Sequence, residues 1–384
     1  MKEIYFDNAA TARPREEALA AVVKAMGPDF ANASSLHRKG VDAAARIREA
    51  MEWMSALAGG GEWKVLFTSG GTEADNLAVL GSVPKGRRDT VVTSSLEHAA
   101  VESSCREVAR RGGRCVVVKP RQGGVLHPQD VAAAVDDRTA LVSIVHVAGE
   151  MGTVQPINDI ARAVKQKNKK ARFHTDAVQA AARLARLDYG PAVDMVALCG
   201  HKIGGPMGVG ALLLRPGVTV RPLFFGGDQQ EGERPGTFNV PGIAGMGAAA
   251  RMMVAERAEA VPRLADLTAR LGRRLLQSAE GVRLLGEESC RAPGLLVVAV
   301  RGVRSEVLLH TMEKYGLFAS AGSACHSTRR EPPACLVDDG LAPDEAVVRF
   351  TPGAGVTEDD VEDAARIFET ALQEVRCGNA GRMK

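Results

Sequence analysis

The chain of 384 residues is predicted to be an α/β protein, with a large domain built on a mostly parallel sheet covered by helices and a smaller α+β domain after it. Between about residues 64 and 215, short apolar runs alternate with helix-like stretches, which is typical of parallel strands with helices on both faces. Beyond about residue 260, amphipathic helices around a few strands replace this alternation. A chain of this length also exceeds one ordinary core, so two domains are expected.

Apolar runs bounded by turn residues indicate the strands, and amphipathic stretches indicate the helices. In the large domain we predict strands over residues 65–67, 90–93, 115–118, 140–147, 172–174, 195–198 and 210–214. Helices are predicted there over residues 73–80, 99–111 and 157–167. In the small domain we predict a strand over residues 295–300, helices over about 260–279, 305–315 and 358–375, and a frayed tail over 377–384.

The domain boundary is placed between residues 258 and 259, and residues 1–20 are expected to pack with the small domain 259–384. The net charge of +3 gives no argument for direct nucleic acid binding. Seven cysteines without a CxxC pair indicate neither a disulfide framework nor a zinc site, and scattered thiols fit a reducing compartment. The sequence shows no apolar leader and no stretch long enough to span a bilayer, so we expect a cytoplasmic protein without a membrane partner or a metal.

Polar residues follow successive predicted strands and indicate a cofactor site at the carboxyl edge of the sheet. Asp176 and Gln179 follow one strand, and Lys202 follows the next. An aldehyde cofactor such as pyridoxal 5'-phosphate (PLP) needs an amine to form a Schiff base, a carboxylate to keep its pyridine nitrogen protonated, and donors for its ring oxygen and phosphate. Lys202 and Asp176 fit the first two needs, and Gln179 fits the ring oxygen. A helix-capping aspartate and a solvated lysine are the alternatives.

Three further positions match the same site. Gly71 and Thr72 lie between a strand and a helix, where backbone N–H groups can approach a phosphate, although Thr72 can instead be read as a plain helix cap. His98 follows another strand and could stack on a cofactor ring and move protons, or could be structural. Arg349 lies among apolar residues, where its guanidinium needs a carboxylate from a substrate or from an internal salt bridge.

Cys325 lies among small residues in the segment 320–328, which predicts a mobile loop. Its thiol would be activated by a nearby arginine or histidine. A PLP enzyme with a mobile thiol can take sulfur from an amino acid and hold it as a persulfide. An ordinary loop cysteine is the alternative.

An ordered series of motifs extends over nearly the whole chain: YFDNAAT (5–11), NASSLH (32–37), SGGTEADNL (69–77), EH (97–98), EMG (150–152), HTDAVQ (174–179), GHK (200–202), RPGT (234–237), GSAC (322–325) and RF (349–350). In these motifs the chain resembles the cysteine desulfurases of the NifS/IscS type, in the class V aminotransferase family of fold-type I PLP enzymes. The resemblance implies a mostly parallel, seven-stranded sheet in the large domain and a homodimer with its sites at the subunit interface.

The resemblance also implies roles for the cofactor-binding residues. Lys202 would carry the cofactor as a Schiff base, His98 would stack on the ring, Asp176 would pair with the ring nitrogen and Gln179 with the ring oxygen. The residues implied to hold the phosphate are Gly71, Thr72, Cys199, His201 and, from the neighbouring subunit, Thr237.

For the substrate, the resemblance implies that Arg349 binds the carboxylate of L-cysteine, with Asn32 nearby. Cys325 would attack the substrate sulfur, leaving alanine and an enzyme persulfide. A sulfur-acceptor protein, either a scaffold for iron–sulfur cluster assembly or a carrier toward tRNA thiolation, would then receive the sulfur.

The sequence departs from the family pattern in three places. Ala148 and Gly149 replace paired asparagines, the second of which contacts cofactor and substrate in the family. Cys199 replaces a serine and is a weaker hydrogen-bond donor. A glycine-rich family stretch reads GGDQQ at residues 226–230.

The competing functions are a selenocysteine lyase or another class V PLP enzyme, and a degenerate scaffold that keeps only PLP binding or the dimer. Cys325 disfavours simple transamination, which has no use for a nucleophilic thiol. The presence of Lys202, Asp176 and His98 argues against the scaffold, whereas the loss of the asparagine at Gly149 favours it weakly.

Overall fold

The computed structural model describes residues 2–83, 86, 88–121, 123–286, 290–322 and 334–380. Within these ranges the strands are β1 (Ile4–Tyr5), β2 (Lys64–Thr68), β3 (Thr90–Ser94), β4 (Arg114–Val118), β5 (Thr139–Ser143), β6 (Arg172–Asp176), β7 (Met195–Cys199), β8 (Gly210–Leu214), β9 (Val282–Leu284), β10 (Leu296–Arg301), β11 (Leu317–Phe318) and β12 (Glu345–Phe350). The helices are α1 (Glu16–Met26), α2 (Arg38–Leu57), α3 (Gly71–Ser82), α4 (Ala99–Arg110), α5 (Pro128–Ala133), α6 (Ile157–Lys167), α7 (Val178–Arg183), α8 (Val240–Ser278), α9 (Ser305–Lys314), α10 (Ala334–Asp338) and α11 (Glu358–Ala380).

The large sheet has seven strands in the order β2-β8-β7-β6-β5-β3-β4, and only β8 runs antiparallel to its neighbours. Strands β3, β5, β7 and β8 are buried along their whole length, because helices cover both faces. The predicted α/β architecture with a mostly parallel sheet is therefore confirmed. Its parallel strands β3, β5, β6 and β7 end at one edge, which brings the segments that follow them together.

A second sheet, in the order β12-β10-β9, is antiparallel and packs on α8, α9 and α11. The first residues of the chain lie beside it, because β1 pairs in parallel with β11 in a separate two-stranded sheet. Phe6 N donates to Phe318 O, and Phe6 O accepts from Thr351 N just after β12. The N-terminal segment thus leaves this sheet and continues toward the edge of the large one.

Helix α8 is the largest departure from the predicted elements. It begins at Val240 rather than near residue 260, and Asn239 caps it by accepting a hydrogen bond from Gly242 N at 3.1 Å. The sequence conceals this first half because it is rich in glycine. A Cβ at Gly247 would lie 2.7 Å from Ala50 Cβ, so the glycine is required for α8 to approach α2.

The same helix connects both cores: Val240 and Met246 belong to the core of the large sheet, and Leu267 and Leu271 to that of the small sheet. The boundary placed at residues 258/259 falls inside this continuous helix and stays a prediction. Two smaller corrections concern element ends. Helix α11 continues to Ala380, so residues 377–380 are helical rather than frayed, and β5 ends at Ser143 rather than at residue 147.

Across the described ranges, no helix combines the length and the apolar character needed to cross a membrane.

Gly247→Ala is expected to destabilise the protein although alanine favours helix formation, because the added methyl overlaps Ala50. Overpacking of this kind costs about 1–3 kcal/mol. The matched control is Gly378→Ala in α11, where a Cβ meets nothing within 4 Å and should be neutral or slightly stabilising. Urea denaturation of both variants measures the difference, and an equal or higher midpoint for Gly247→Ala would contradict the packing.

Candidate functional site

Asp176, His98 and Lys202 meet at the carboxyl edge of the large sheet. Asp176 ends β6 and is buried, His98 caps the start of α4 after β3, and Lys202 follows β7. Burial raises the pKa of Asp176, while His98, a hydrogen bond from Val178 N and the charge of Lys202 act in the opposite direction. His98 and Lys202 therefore each lie close enough to Asp176 to act on its carboxyl.

The helix-cap position that was the alternative role for Asp176 is held by Ala177, but Asp176 still binds the first turn of α7, because its Oδ1 accepts from Val178 N at 2.9 Å. One carboxylate oxygen is thereby tied to the backbone. The carboxylate is thereby fixed in orientation beside His98 and Lys202.

The N-terminal segment lies directly over Lys202. Lys202 Nζ donates to the carbonyl oxygens of Ala9 and Ala10, both at 2.6 Å, and Lys202 is half-buried. Gln179 Nε2 donates to the same Ala9 carbonyl at 2.9 Å. The two side chains predicted to serve the cofactor ring and its anchor therefore share one backbone acceptor.

The start of α3 lies against the ends of β6 and β7. A Cβ at Gly71 would lie 3.1 Å from Val178 Cγ2 and 3.7 Å from Cys199 Cβ, so this helix start is close to the strand ends. Gly70 holds the cap position, and Thr72 lies exposed in the first turn rather than acting as the cap. The unpaired N–H groups of a first helical turn, with the positive end of the helix dipole, favour a bound anion.

Cys199 and His201 both precede Lys202 closely in the chain, and burial shifts the pKa of each. Burial and the charge of Lys202 lower the pKa of His201 to about 4, so its ring is neutral near pH 7. Its Nδ1 lies 3.3 Å from Thr11 Oγ1. Burial raises the pKa of Cys199 to about 12, which keeps this thiol protonated and able to act only as a weak donor.

A buried acidic cluster beside Asp176 was not anticipated as a functional group. Burial raises the pKa of Glu97 to about 8, and burial together with the charges of Asp176 and Glu97 raises the pKa of Asp75 well above its ordinary range. Glu97 Oε1 accepts from Ser94 Oγ at 2.5 Å and Val145 N at 3.0 Å. The sequence signal was present, since Asp75 and Glu97 lie inside the motifs SGGTEADNL and EH.

The cluster makes Asp176 the best-placed site of negative charge. The charges of neighbouring carboxylates raise the pKa of Asp75 and Glu97 further, whereas the charge of Lys202 acts to lower that of Asp176. His174 lies in the same interior, bonded to Ser143 Oγ at 2.9 Å, and burial lowers its pKa to about 3.

Arg349 lies on β12 and is only 1% exposed. Its Nη1 donates to Gly149 O at 2.8 Å, and its Nη2 lies 3.3 Å from Asp7 Oδ1. The internal salt bridge considered from the sequence is therefore present. The contact with Gly149 also places Arg349 beside the site, because a Cβ at Gly149 would lie 3.8 Å from Gln179 Cγ.

The remaining predicted residues are not joined to this group within one protomer. Asn32 is exposed and lines a cavity of about 510 Å³ with Phe30 and Phe238. Thr237 is exposed and lines a separate cavity of about 180 Å³ with Ser69. Cys325 lies outside the described residues.

Glu97→Gln is expected to flatten the pH dependence of stability. The folded protein holds the Glu97 proton up to about pH 8, whereas the unfolded chain releases it near 4.5, so wild-type stability falls as pH rises through this window. The limiting slope is about 1.4 kcal/mol per pH unit. The neutral amide of glutamine keeps an acceptor for Val145 N, but it does not titrate and so removes this contribution to the pH dependence. Urea titrations at pH 5 and pH 8 measure the free energy of unfolding of both proteins. An equal decrease between the two pH values in wild type and variant would contradict the buried, protonated state of Glu97.

Comparisons with known proteins give a consistent assignment. The family model described as aminotransferase class-V matches residues 4–363. A cysteine desulfurase of Trichormus azollae is 34% identical over 381 residues, which cover 98% of this chain and 94% of the relative. A solved NifS-like protein superposes with a TM-score of 0.88 at 29% identity, over 97% of this chain and 100% of that one. SspA in complex with cysteine superposes with a TM-score of 0.79 at 28% identity, over 92% of this chain and 99% of that one.

The family model matches most of the chain, and the similar proteins cover nearly all of it, both sheets included. The chain belongs to the cysteine desulfurase group of the class V aminotransferase family.

Proposed function

We propose that this protein is a PLP-dependent cysteine desulfurase that converts L-cysteine to L-alanine and holds the released sulfur as a persulfide on Cys325. The observation that carries the proposal is the convergence of Lys202, Asp176 and His98 at the carboxyl edge of the sheet, in a chain of a family that depends in general on PLP. A sulfur-acceptor protein, such as a scaffold or a sulfur carrier, is the proposed destination of the sulfur.

The described residues fit PLP chemically. Lys202 offers an amine near the buried carboxyl of Asp176, and the charge of Lys202 favours the ionised form of that carboxyl. The start of α3 offers backbone donors for a phosphate, and the neutral ring of His201 can contribute one more. When bound, PLP supplies an electron-withdrawing ring that stabilises negative charge on the substrate carbon.

In this proposal each side chain has a defined task. Lys202 anchors the cofactor covalently and moves a proton at the substrate α-carbon. Asp176 stabilises a proton on the ring nitrogen, Gln179 donates to the ring oxygen, and His98 covers the ring face. The N-terminal carbonyls that now accept from Lys202 keep its ammonium oriented toward the site.

Arg349 is the proposed partner of the substrate carboxylate. It is buried, it contacts Gly149 next to Gln179, and its guanidinium can bind a carboxylate through two parallel hydrogen bonds. Asp7 Oδ1 lies 3.3 Å from Arg349 Nη2, and a substrate carboxylate that approaches more closely can take the place of Asp7 in this ion pair.

The sulfur-transfer step is balanced without an external oxidant. The Cys325 thiolate attacks the sulfur of the substrate, the bond between that sulfur and the substrate Cβ breaks, and the carbon takes up a proton to give L-alanine. Among described thiols, Cys199 and Cys335 are buried, and burial raises the pKa of each, so neither favours the reactive thiolate.

Exposed apolar side chains favour the proposed homodimer. Met26 and Phe30 are 68% and 62% exposed and line the same cavity as Asn32. Clustered apolar exposure of this kind is typical of a subunit interface. A second copy covering this cavity would enclose Asn32, as its proposed role near the substrate requires.

Lys202→Ala is expected to abolish turnover and the visible absorbance of lysine-bound PLP, since the amine proposed to form the Schiff base is removed. The control is Lys314→Ala, which removes a surface lysine paired with Glu374 at 2.8 Å. Absorbance spectra and alanine formation report the result. Borohydride-reducible PLP still attached to Lys202→Ala would refute the assignment.

Cys325→Ser is expected to bind PLP and L-cysteine like the wild type yet release less than about 1% of the sulfide, because a hydroxyl cannot hold the transferred sulfur. Mass spectrometry of the wild type after exposure to L-cysteine should find one added sulfur on the Cys325 peptide. Cys335→Ser is the matched control and should stay active. Full activity of Cys325→Ser, with the added sulfur on another cysteine, would overturn the mechanism.

A further inference from the structure

Arg183 is a buried cation that the proposed mechanism does not use. It ends the short helix α7 and is only 3% exposed. Its Nε donates to Gln179 Oε1 at 3.0 Å, and its Nη1 donates to Gly294 O. No carboxylate forms an ion pair with it among the residues that the structure describes.

We propose that Arg183 is a positioning residue that fixes the amide of Gln179, so that a hydrogen of its Nε2 is presented to the ring oxygen of PLP. This inference rests on the proposed function, because it concerns how the same site holds its cofactor.

The hydrogen-bond chemistry determines the orientation of this amide. Arginine has no acceptor, so the atom of Gln179 that faces Arg183 must be the oxygen. The Ala9 carbonyl has no donor, so the atom that faces it must be Nε2. Both contacts therefore require the same orientation of the Gln179 amide. A glutamine amide can otherwise turn over and exchange its two ends, which would point an acceptor at the electron-rich ring oxygen.

The contact also strengthens the donor. Burial and the charge of Arg349 lower the pKa of Arg183 to about 9, so the guanidinium remains charged near pH 7. A charged donor on Oε1 polarises the amide and makes the hydrogens of Nε2 better donors.

Arg183 connects this amide to the segment before β10. Gly294 adopts φ +70°, and a Cβ there would lie 3.0 Å from Arg183 Nη1 and 2.5 Å from Leu264 Cδ2. Only glycine allows this carbonyl to approach the guanidinium so closely. A displacement of the Gly294 segment would therefore be transmitted through Arg183 to Gln179.

The test compares Arg183→Met with Arg257→Met. Arg257 is a matched control: it is 7% exposed, it lines the same cavity of about 400 Å³ as Arg183, and its Nη1 donates to a backbone carbonyl, Leu57 O, at 3.1 Å. Neither Arg257 nor its acceptor contacts Gln179. Two readouts besides activity are used, the PLP dissociation constant and the pH midpoint of the visible absorbance change.

Arg183→Met is expected to weaken PLP binding about tenfold, the size of one hydrogen bond, and to raise the absorbance midpoint by about one pH unit. The midpoint rises because a ring oxygen that has lost its donor holds negative charge less well, so the nearby proton is retained to higher pH. Arg257→Met should leave the midpoint unchanged even where it lowers thermal stability. If Arg183→Met does not fold, Arg183→Lys replaces it, since one ammonium cannot take the place of two separately placed nitrogens.

A double-mutant comparison completes the experiment. In a Gln179→Ala background, adding Arg183→Met should shift the midpoint no further, because Arg183 acts through the missing amide. An unchanged midpoint in Arg183→Met, an equal shift in Arg257→Met, or a full additional shift in the Gln179→Ala background would each overturn the inference. A wild-type protein that binds no PLP would instead refute the proposed function itself, so the two failures are distinguishable.

Discussion

The site depends on one short segment, residues 6–12, which is bonded to both sheets at once. On one side, Thr351 N donates to Phe6 O at 2.7 Å, and Ala9 N donates to Thr351 Oγ1 at 3.0 Å. On the other side, the Ala9 carbonyl accepts from Lys202 and Gln179. A shift of this segment against either sheet would break contacts to the other. The small sheet therefore determines where the lysine and glutamine of the large sheet are directed.

Electrostatics in the interior restrict which groups can carry charge. Asp75, Glu97 and Asp176 share a buried region, and three adjacent ionised carboxylates in a medium of low polarity are strongly disfavoured. Of the three, Asp176 is the one whose pKa the charge of Lys202 acts to lower. The negative charge is thus favoured at the strand end that faces the site, while burial favours the protonated forms of Asp75 and Glu97.

Arginines connect this interior to the small sheet. Arg349 joins β12 to Gly149 and Asp7, and Arg183 joins the end of α7 to Gly294. Both are almost fully buried, and each uses neutral backbone oxygens as acceptors. Such contacts are directional but weak as sources of net stability, which suits residues that position a site rather than hold a core together.

The sequence alone determined the alternation of strands and helices and predicted which polar residues lie at the carboxyl edge of the sheet, because apolar periodicity and short motifs are local properties of the chain. It missed the glycine-rich start of α8, where the glycines are required for close contact with α2, and the acidic cluster of Asp75 and Glu97, where burial shifts the pKa values.

The tertiary structure alone decided that Ala9 is shared by Lys202 and Gln179, that Arg183 contacts Gln179, and that Asn32 and Thr237 lie in cavities apart from Lys202. The reason is physical: these are distances between residues remote in sequence, and they exist only after the two sheets have packed through the N-terminal segment and α8.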